Sequence, residues 1–377
     1  MSGQPHETDQ VGHETDQVGQ DMSEAERTED QRQPAAVLRV GTRGSALART
    51  QTTWAADRVA EAAGVSHELE IIRTEGDVLT GSLATLGGTG VFAAALRVAL
   101  LEDRVDMAVH SLKDLPTAPT PGLSIGAVPE REDPRDALCA RDGLRLEQLP
   151  DGAKVGTGSP RRAAQLLLAR PDLQIVDIRG NVPTRLARVA GLDPEGPGDL
   201  DAVVLAASGL RRLGLQAHIT EALDPSVVLP APGQGALALE IRTEVLERDP
   251  ELAAQASGSS QDAVAAQRAR PGQDALDSDL LQGLARINHL ETRWAVTAER
   301  ALLARLEAGC AAPVGTLATV ENGMLTLRVA VASPDGAEVM RRTEASHELS
   351  TAAARELGRR VGDGLLADGA ARLAGLA

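Results

Sequence analysis

The sequence predicts two α/β domains of similar size followed by a small α+β domain. Three observations carry that reading. From about Ala36, short apolar runs alternate with amphipathic stretches, the pattern of strands feeding helices across a mostly parallel sheet. The alternation starts afresh near Arg135. From about Ala285 the texture changes to a helix, a meander and a closing helix.

In the first lobe, "AVLRVGT" reads as a buried strand and "SALARTQTTWAADRVAEAAG" as a helix capped by Ser45 and stopped at Gly64. "HELEII" is a second strand. "LGGTGVFAAALRVALLEDR" is a glycine-rich loop entering a helix, and "VDMAVHSLKDLP" is a strand running into a loop. The second lobe begins with "RDALCA" and "AKVGTG" as strands. "SPRRAAQLLLAR" follows as a helix, "LQIVDIRG" as a strand, "VPTRLARVA" as a helix and "DAVVLAA" as a strand. The apolar "SVVLPAPGQGALALEIR" returns the chain to the first lobe. Residues 247–284 are rich in Ala, Gln, Ser and Asp with weak periodicity, and read as a mobile insertion or linker. A long helix is expected from about Ala285 to Glu307. A meander with "ENG" and "SPDG" as turns comes next, then a last helix over about 350–374. Residues 1–35 are polar. Their tandem "HETDQVG", from His6 and His13, lacks the apolar positions of a coiled coil, so a disordered tail is expected. The expected domains are 36–130 with 231–246, 131–230, and 285–377.

Composition narrows the function. The formal net charge is −16, which repels nucleic acid and anionic membranes and makes any local arginine cluster informative. One Phe, two Trp and no Tyr leave no stacking platform for single-stranded nucleic acid. Cys139 and Cys310 make neither a disulfide framework nor a zinc site, and seven scattered histidines show no metal-ligand spacing. The acidic N-terminus does not read as a signal peptide and no run of 18 apolar residues exists, so a cytoplasmic protein is expected.

Active sites of α/β sheets lie at the carboxyl ends of strands, and there the polar motifs fall. In "VGTGSPRR", Ser159 occupies a helix N-cap position and Pro160 the first helical position. Arg161 and Arg162 then lie in the first helical turn, where the dipole is already positive. Two adjacent guanidiniums there call for an anion. Arg43, Arg179 and Arg185 also follow strands, and arginine grips carboxylate or phosphate bidentately. Ser45, Thr157 and Ser159 add hydroxyls. Singly, each arginine reads more readily as a solvated or salt-bridged surface residue; as a set they favour a ligand with several negative charges. Lys113 and Asp114, in "HSLKDLP", read either as an ordinary surface pair or as a carboxylate aimed into a cleft to stabilise positive charge or move protons. Cys310 taken alone reads as a small buried hydrophobe about as often as a reactive thiol, and its glycine-flanked loop tips it towards function; Cys139, in an apolar strand, reads as inert core. "GGTGVF" mimics a dinucleotide fingerprint only weakly.

Together "VGTRGSALA", "GGTGVF", "AVHSLKDLP", "EREDPRDAL", "VGTGSPRR", "DIRGNVPTRL", "LAASGLRRLGL", "LPAPGQGALALE" and "TAERALLARLEAGCAAPVG" resemble the porphobilinogen deaminase family, in order over roughly 37–245 and 285–377. The resemblance implies two periplasmic-binding-protein-like α/β domains and a third α+β domain carrying the cofactor. It implies head-to-tail joining of four porphobilinogen molecules with loss of ammonia, by a monomer without nucleic-acid or membrane partners. It implies a dipyrromethane cofactor on a thioether to Cys310, with Asp114 and Lys113 catalytic. By the same resemblance Arg43, Ser45, Lys113, Thr157, Ser159, Arg161, Arg162, Arg179, Gly180 and Arg185 hold the cofactor. Arg43, Ser45, Phe92, Arg179, Arg185 and Gln234 touch substrate. The chain departs from the family pattern at Glu75, Thr89 and Gly158, where arginine, lysine and serine are common. The rival expectation is a two-lobed anion-binding module without chemistry, which needs neither Asp114 nor Cys310.

Overall fold

A computed structural model describes residues 37–72, 91–256, 272–309 and 312–376. The strands are β1 (Val37–Thr42), β2 (Ser66–Ile71), β3 (Met107–Ser111), β4 (Leu123–Ala127), β5 (Asp136–Ala140), β6 (Lys154–Gly156), β7 (Gln174–Val176), β8 (Ala202–Ala206), β9 (Glu221–Ala222), β10 (Leu237–Arg242), β11 (Val314–Glu321), β12 (Met324–Ala332) and β13 (Val339–Ser346). The main helices are α1 (Ala46–Ala63), α2 (Val91–Leu101), α3 (Pro160–Ala169), α4 (Val182–Leu186), α5 (Ala207–Arg212), α6 (Gln273–Ile287), α7 (Leu290–Arg305) and α8 (Thr351–Ala367).

Two five-stranded sheets share one topology. The first runs β2-β1-β3-β10-β4 and the second β7-β6-β8-β5-β9. In each, three strands are parallel and the fourth, β10 or β5, is antiparallel to both its neighbours. These two reversed strands are the ones the chain enters on crossing between lobes, once over 128–135 and back over 223–236. The inner strands β5 and β8 are covered on both faces and read as almost continuous apolar runs, whereas the edge strand β2, SHELEI, is half-exposed and polar. Along β5, Leu138 and Ala140 join one core layer while Ala137 and Cys139 join the other, following the two-residue period of a strand.

The helix α1 is punctuated as its sequence requires. Ser45 accepts from Ala48 N at its start, and Gly64 ends it at φ 74°. In the third domain β11, β12 and β13 form an antiparallel meander turned at Asn322–Gly323, both at positive φ. Its core is built by Leu302, Leu306, Leu327, Val329, Leu357 and Val361.

Two expectations are corrected. The stretch 247–284 is not a linker at its ends. Pro250–Gln255 is a helical turn, and α6 lays Leu276, Leu280, Leu281 and Leu284 into the core of the first lobe. The leucines recur on one helical face, but the polar small residues between them dilute the pattern. The long helix expected from Ala285 is two helices, broken at Asn288. His289 caps the second, its Nδ1 accepting from Thr292 N at 3.2 Å. Residues 1–35 and the middle of 247–284 lie outside the described residues.

The start of α7 is hooked to the first crossing. His289 N donates to Val128 O, Val128 N to Asn288 Oδ1 and Arg131 N to Thr292 Oγ1. Arg293, 1% exposed, has no carboxylate among the described residues. Its guanidinium instead donates to the carbonyls of Ile125, Gly126 and Gln255 and to Asn288 Oδ1. Burial pushes its pKa down to about 10.

With few aromatics, the third domain gains contact by close approach of α7 and α8. A Cβ on Gly358 would stand 2.3 Å from Ala298 O and 2.8 Å from Ala301 Cβ. Gly358→Ala is therefore expected to destabilise this domain by about 1–3 kcal/mol through overpacking, read as a lowered thermal midpoint; an unchanged midpoint would show that the helices separate freely.

Candidate active site

The parallel strands β1 and β3 end on the same edge of the first sheet, and β6 and β7 on the same edge of the second. Arg43 follows β1, and Lys113 and Asp114 form a 3-10 turn directly after β3. Thr157 and Ser159 follow β6, and Arg179 follows β7. Arg185 projects from α4. The edges face each other: the charges of Asp114, on the first lobe, and of Arg162 and Arg179, on the second, all act on Arg185.

The adjacent arginines have an internal counter-ion. Arg161 and Arg162 are 3% and 6% exposed, and both pair with the fully buried Asp136 at the head of β5. Arg161 Nη1 donates to Asp136 Oδ2 at 2.7 Å and to Leu229 O at 2.5 Å. Arg162 donates to Asp136 Oδ1 through Nε at 2.9 Å and Nη2 at 2.7 Å, and to Val204 O through Nη1. Although burial opposes ionisation, the two guanidiniums hold the Asp136 carboxyl far below the usual carboxylate range. The anion expected opposite these arginines is thus supplied first by the chain itself. One carboxylate between two guanidiniums leaves a positive remainder, and Arg161 Nε is buried without an acceptor among the described residues.

Gln234 is corrected. Expected on the substrate, it is fully buried, and its amide joins the two lobes. Nε2 donates to Pro134 O and Asp136 Oδ1, both at 2.8 Å, while Oε1 accepts from Lys113 Nζ and Arg162 Nη2, both at 3.4 Å. Lys113 is half-buried beside this cluster. Burial lowers its pKa, Arg162 and Arg161 lower it further, and Asp114 and Asp136 oppose them. Asp114 itself is exposed.

The remaining groups lie along the same edges. Ser159 holds the N-cap position of α3 but makes no capping hydrogen bond; its backbone N–H donates to the buried Thr157 Oγ1. Arg179 is exposed and pairs with Asp177 at 3.3 Å. Arg185 Nε donates to Gly180 O at 2.8 Å, and burial followed by Arg162 and Arg179 lowers its pKa. The departure at Gly158 has a local cause. A Cβ there would stand 2.6 Å from Ile178 O, so the loop packs against its neighbour without room for a side chain. Cys310, Thr89, Glu75 and the side chain of Phe92 lie outside the described residues.

Sequence reading missed a second buried knot. Glu299 of α7, fully buried, accepts from Arg131 Nη1 and Nη2 at 2.7 and 3.1 Å, from Gly233 N and from Ala318 N. Arg131 Nε donates to Gln234 O. The third domain thereby grips both crossings. Half-buried Arg212 also reaches the second crossing, donating to Gly235 O at 2.7 Å. The available signal was acid and base clustered in "EREDPRDAL" immediately before an apolar strand, since a charge heading a buried strand needs a partner.

Asp136→Asn is expected to cost about 3–5 kcal/mol at neutral pH, because it leaves two buried guanidiniums sharing a neutral amide. A carboxylate with a depressed folded pKa contributes its stability above the unfolded value, about 3.9. That contribution is lost as pH falls towards the folded value. The gap in denaturation midpoint between wild type and variant should therefore shrink below about pH 4. A gap independent of pH would remove the ion pair as its cause.

The chain matches two family models. "Porphobilinogen deaminase, dipyromethane cofactor binding domain" covers residues 38–249 and "Porphobilinogen deaminase, C-terminal domain" covers 294–367. A porphobilinogen deaminase of Micrococcus luteus is 56% identical over 321 residues, covering 81% of this chain and 81% of its own. That of Cutibacterium acnes is 52% identical over 356 residues, covering 90% and 98%, and that of Leifsonia xyli subsp. xyli 51% over 353, covering 92% and 96%. Among solved structures, a periplasmic substrate-binding protein of an ABC transporter from Coxiella burnetii is similar over 66% of this chain and 94% of its own, at 16% identity and a TM-score of 0.36.

Proposed function

The chain belongs to the porphobilinogen deaminase family, and from that premise we propose how its residues divide the work of a hydroxymethylbilane synthase. The reaction joins four porphobilinogen molecules head to tail, releases ammonia at each addition and frees the linear tetrapyrrole by hydrolysis. The cofactor is dipyrromethane. The non-catalytic binding module is not favoured once the family is established.

One observation carries the assignment of roles: the excess of cations at the facing sheet edges. Arg43, Lys113, Arg161, Arg162, Arg179 and Arg185 stand against the carboxylates Asp114, Asp136 and Asp177. Each pyrrole ring of cofactor and substrate carries an acetate and a propionate, so this donor set and the orphan Arg161 Nε fit a carboxylated pyrrole chain. When bound, through Cys310 in this reading, the dipyrromethane supplies the free pyrrole carbon to which the first substrate is joined. The chain's own residues do the rest. Arg43, Arg179 and Arg185, with Ser45 and Ser159, hold ring carboxylates in register. Arg161 and Arg162 act from below, as a fixed positive field already oriented by Asp136.

Asp114 is the group for the chemistry. Its carboxylate is exposed while its neighbours are cationic, so it is presented to ligand rather than consumed in an internal pair. Loss of ammonia from porphobilinogen leaves a cationic methylene-pyrrole. A carboxylate beside the ring N–H stabilises that cation and holds the proton. Lys113, its pKa lowered by burial and by Arg162, is poised to hand protons to and from Asp114. No helix among the described residues is long and apolar enough to cross a membrane. The enzyme works as a cytoplasmic monomer in this reading.

The test is the intact mass of the purified, denatured chain with turnover measured alongside. An excess of one dipyrromethane unit, absent from Cys310→Ser, is expected. Asp114→Asn should keep that mass and lose about 100-fold or more in kcat. A Cys310→Ser chain that still carries the excess would show that another residue is the anchor, and near-normal turnover in Asp114→Asn would take this carboxylate out of the mechanism.

A further inference from the structure

A groove of about 410 Å³ lies between the first and third domains, away from the cleft. None of Arg43, Lys113, Asp114, Arg161, Arg162, Arg179 or Arg185 lines it. Its walls carry five guanidiniums, those of Arg97, Arg300, Arg305, Arg355 and Arg359. Among its described lining residues the one carboxylate is Glu240, and this one is already neutralised. Arg97 donates to it three times at 2.9–3.1 Å and His110 Nε2 stands 3.0 Å away, and burial notwithstanding, these partners hold its pKa near 2. Arg305 and Arg359 take single carboxylates, Asp363 and Glu356, from outside the lining. Arg355 is exposed and makes no ion pair among the described residues. The floor between the arginines is apolar, formed by Leu115, Leu123, Ile125 and Ala301.

This combination is selective. The volume is that of a small-molecule site. Guanidiniums bind carboxylates bidentately and stack on flat π-systems, and an apolar floor rewards a ligand with a body as well as charge. A bare inorganic anion would leave that floor wet.

The groove is also wired to the cleft. Arg300 donates to Leu115 O at 2.7 Å, to Pro116 O at 2.6 Å and to Leu112 O at 3.4 Å. These carbonyls flank Lys113 and Asp114, so Arg300 braces the turn that carries the catalytic carboxylate. We propose that the groove is a second, regulatory site for a small planar organic polycarboxylate, whose carboxylates compete with the Leu115 and Pro116 carbonyls for Arg300 and so slacken the Asp114 turn. Occupancy then lowers turnover without touching the arginines that hold substrate.

Benzene-1,3,5-tricarboxylate is the probe. It is titrated calorimetrically into the holoenzyme and into Arg355→Glu/Arg359→Glu, two exposed positions outside the cleft. A saturable component is expected in the first and a binding at least about tenfold weaker in the second; equal affinity overturns the site. Arg355→Gln/Arg359→Gln, matched to wild type in thermal midpoint, gives the same reading without charge reversal. Inorganic tripolyphosphate should bind at least about tenfold more weakly than the aromatic acid, and equal binding overturns the assigned ligand class. The kinetic arm alone rests on the enzyme reading: the probe should lower kcat for porphobilinogen at constant KM. A raised KM at constant kcat would put the probe in the cleft, and binding without loss of kcat would overturn the coupling through Arg300.

Discussion

The carboxylate of Asp136 is the fixed point of this molecule. It heads the first strand of the second lobe and accepts from Arg161, Arg162 and Gln234 at 2.7–2.9 Å with no water-exposed surface. Burying one charge is costly unless partners replace its hydration, and here two cations and an amide do so together. Those partners come from different places: two from the start of α3 and one from the return crossing. Through Gln234 the same network reaches Lys113 on the other lobe. A single side chain thus links the start of the second lobe, the first turn of α3 and the Lys113–Asp114 turn of the first lobe.

Its sign also matters. Were the pairing one to one, the cleft floor would be electrically closed. Two arginines on one acid leave a surplus, and the surplus is immobile because each guanidinium is also hydrogen-bonded to a carbonyl, of Leu229 or Val204. In the proposed reading, a ligand carboxylate over this floor would meet charge that needs no reorganisation to receive it.

Much of this was legible from residues alone, and the failures have physical causes. Strands β1, β2, β5 and β8, the caps of α1 and the crossings near 130 and 230 follow from local signals: apolar runs, Ser45, Gly64, and a run of Pro and Gly before β10. α6 was hidden because Gln, Asp and Ser between its leucines mimic linker composition, while its stability comes from tertiary burial against α1. The break at Asn288 was hidden because its cause is distant: Asn288 and His289 turn away to bond Val128. The arginines were found but not their setting. A sequence states a charge; it does not state whether the nearest counter-charge is a ligand or an aspartate 25 residues earlier. Gln234, which the resemblance places on the substrate, is fully buried and joins Pro134, Asp136, Lys113 and Arg162.

The paired crossings have a mechanical consequence. Gly235, at φ 89°, brings the second strand so near the first that a Cβ would stand 2.3 Å from Glu132 O, and Glu132 N donates back to Gly235 O. Two strips of backbone fastened side by side behave like the two leaves of a strap: they bend readily about the line joining them and resist torsion and shear. Glu299 rivets the third domain to both strips, and Arg293 of the same helix fastens it to β4 of the first lobe. The link between the lobes is therefore a paired band of backbone rather than a single thread, and one buried carboxylate, Glu299, holds both of its edges.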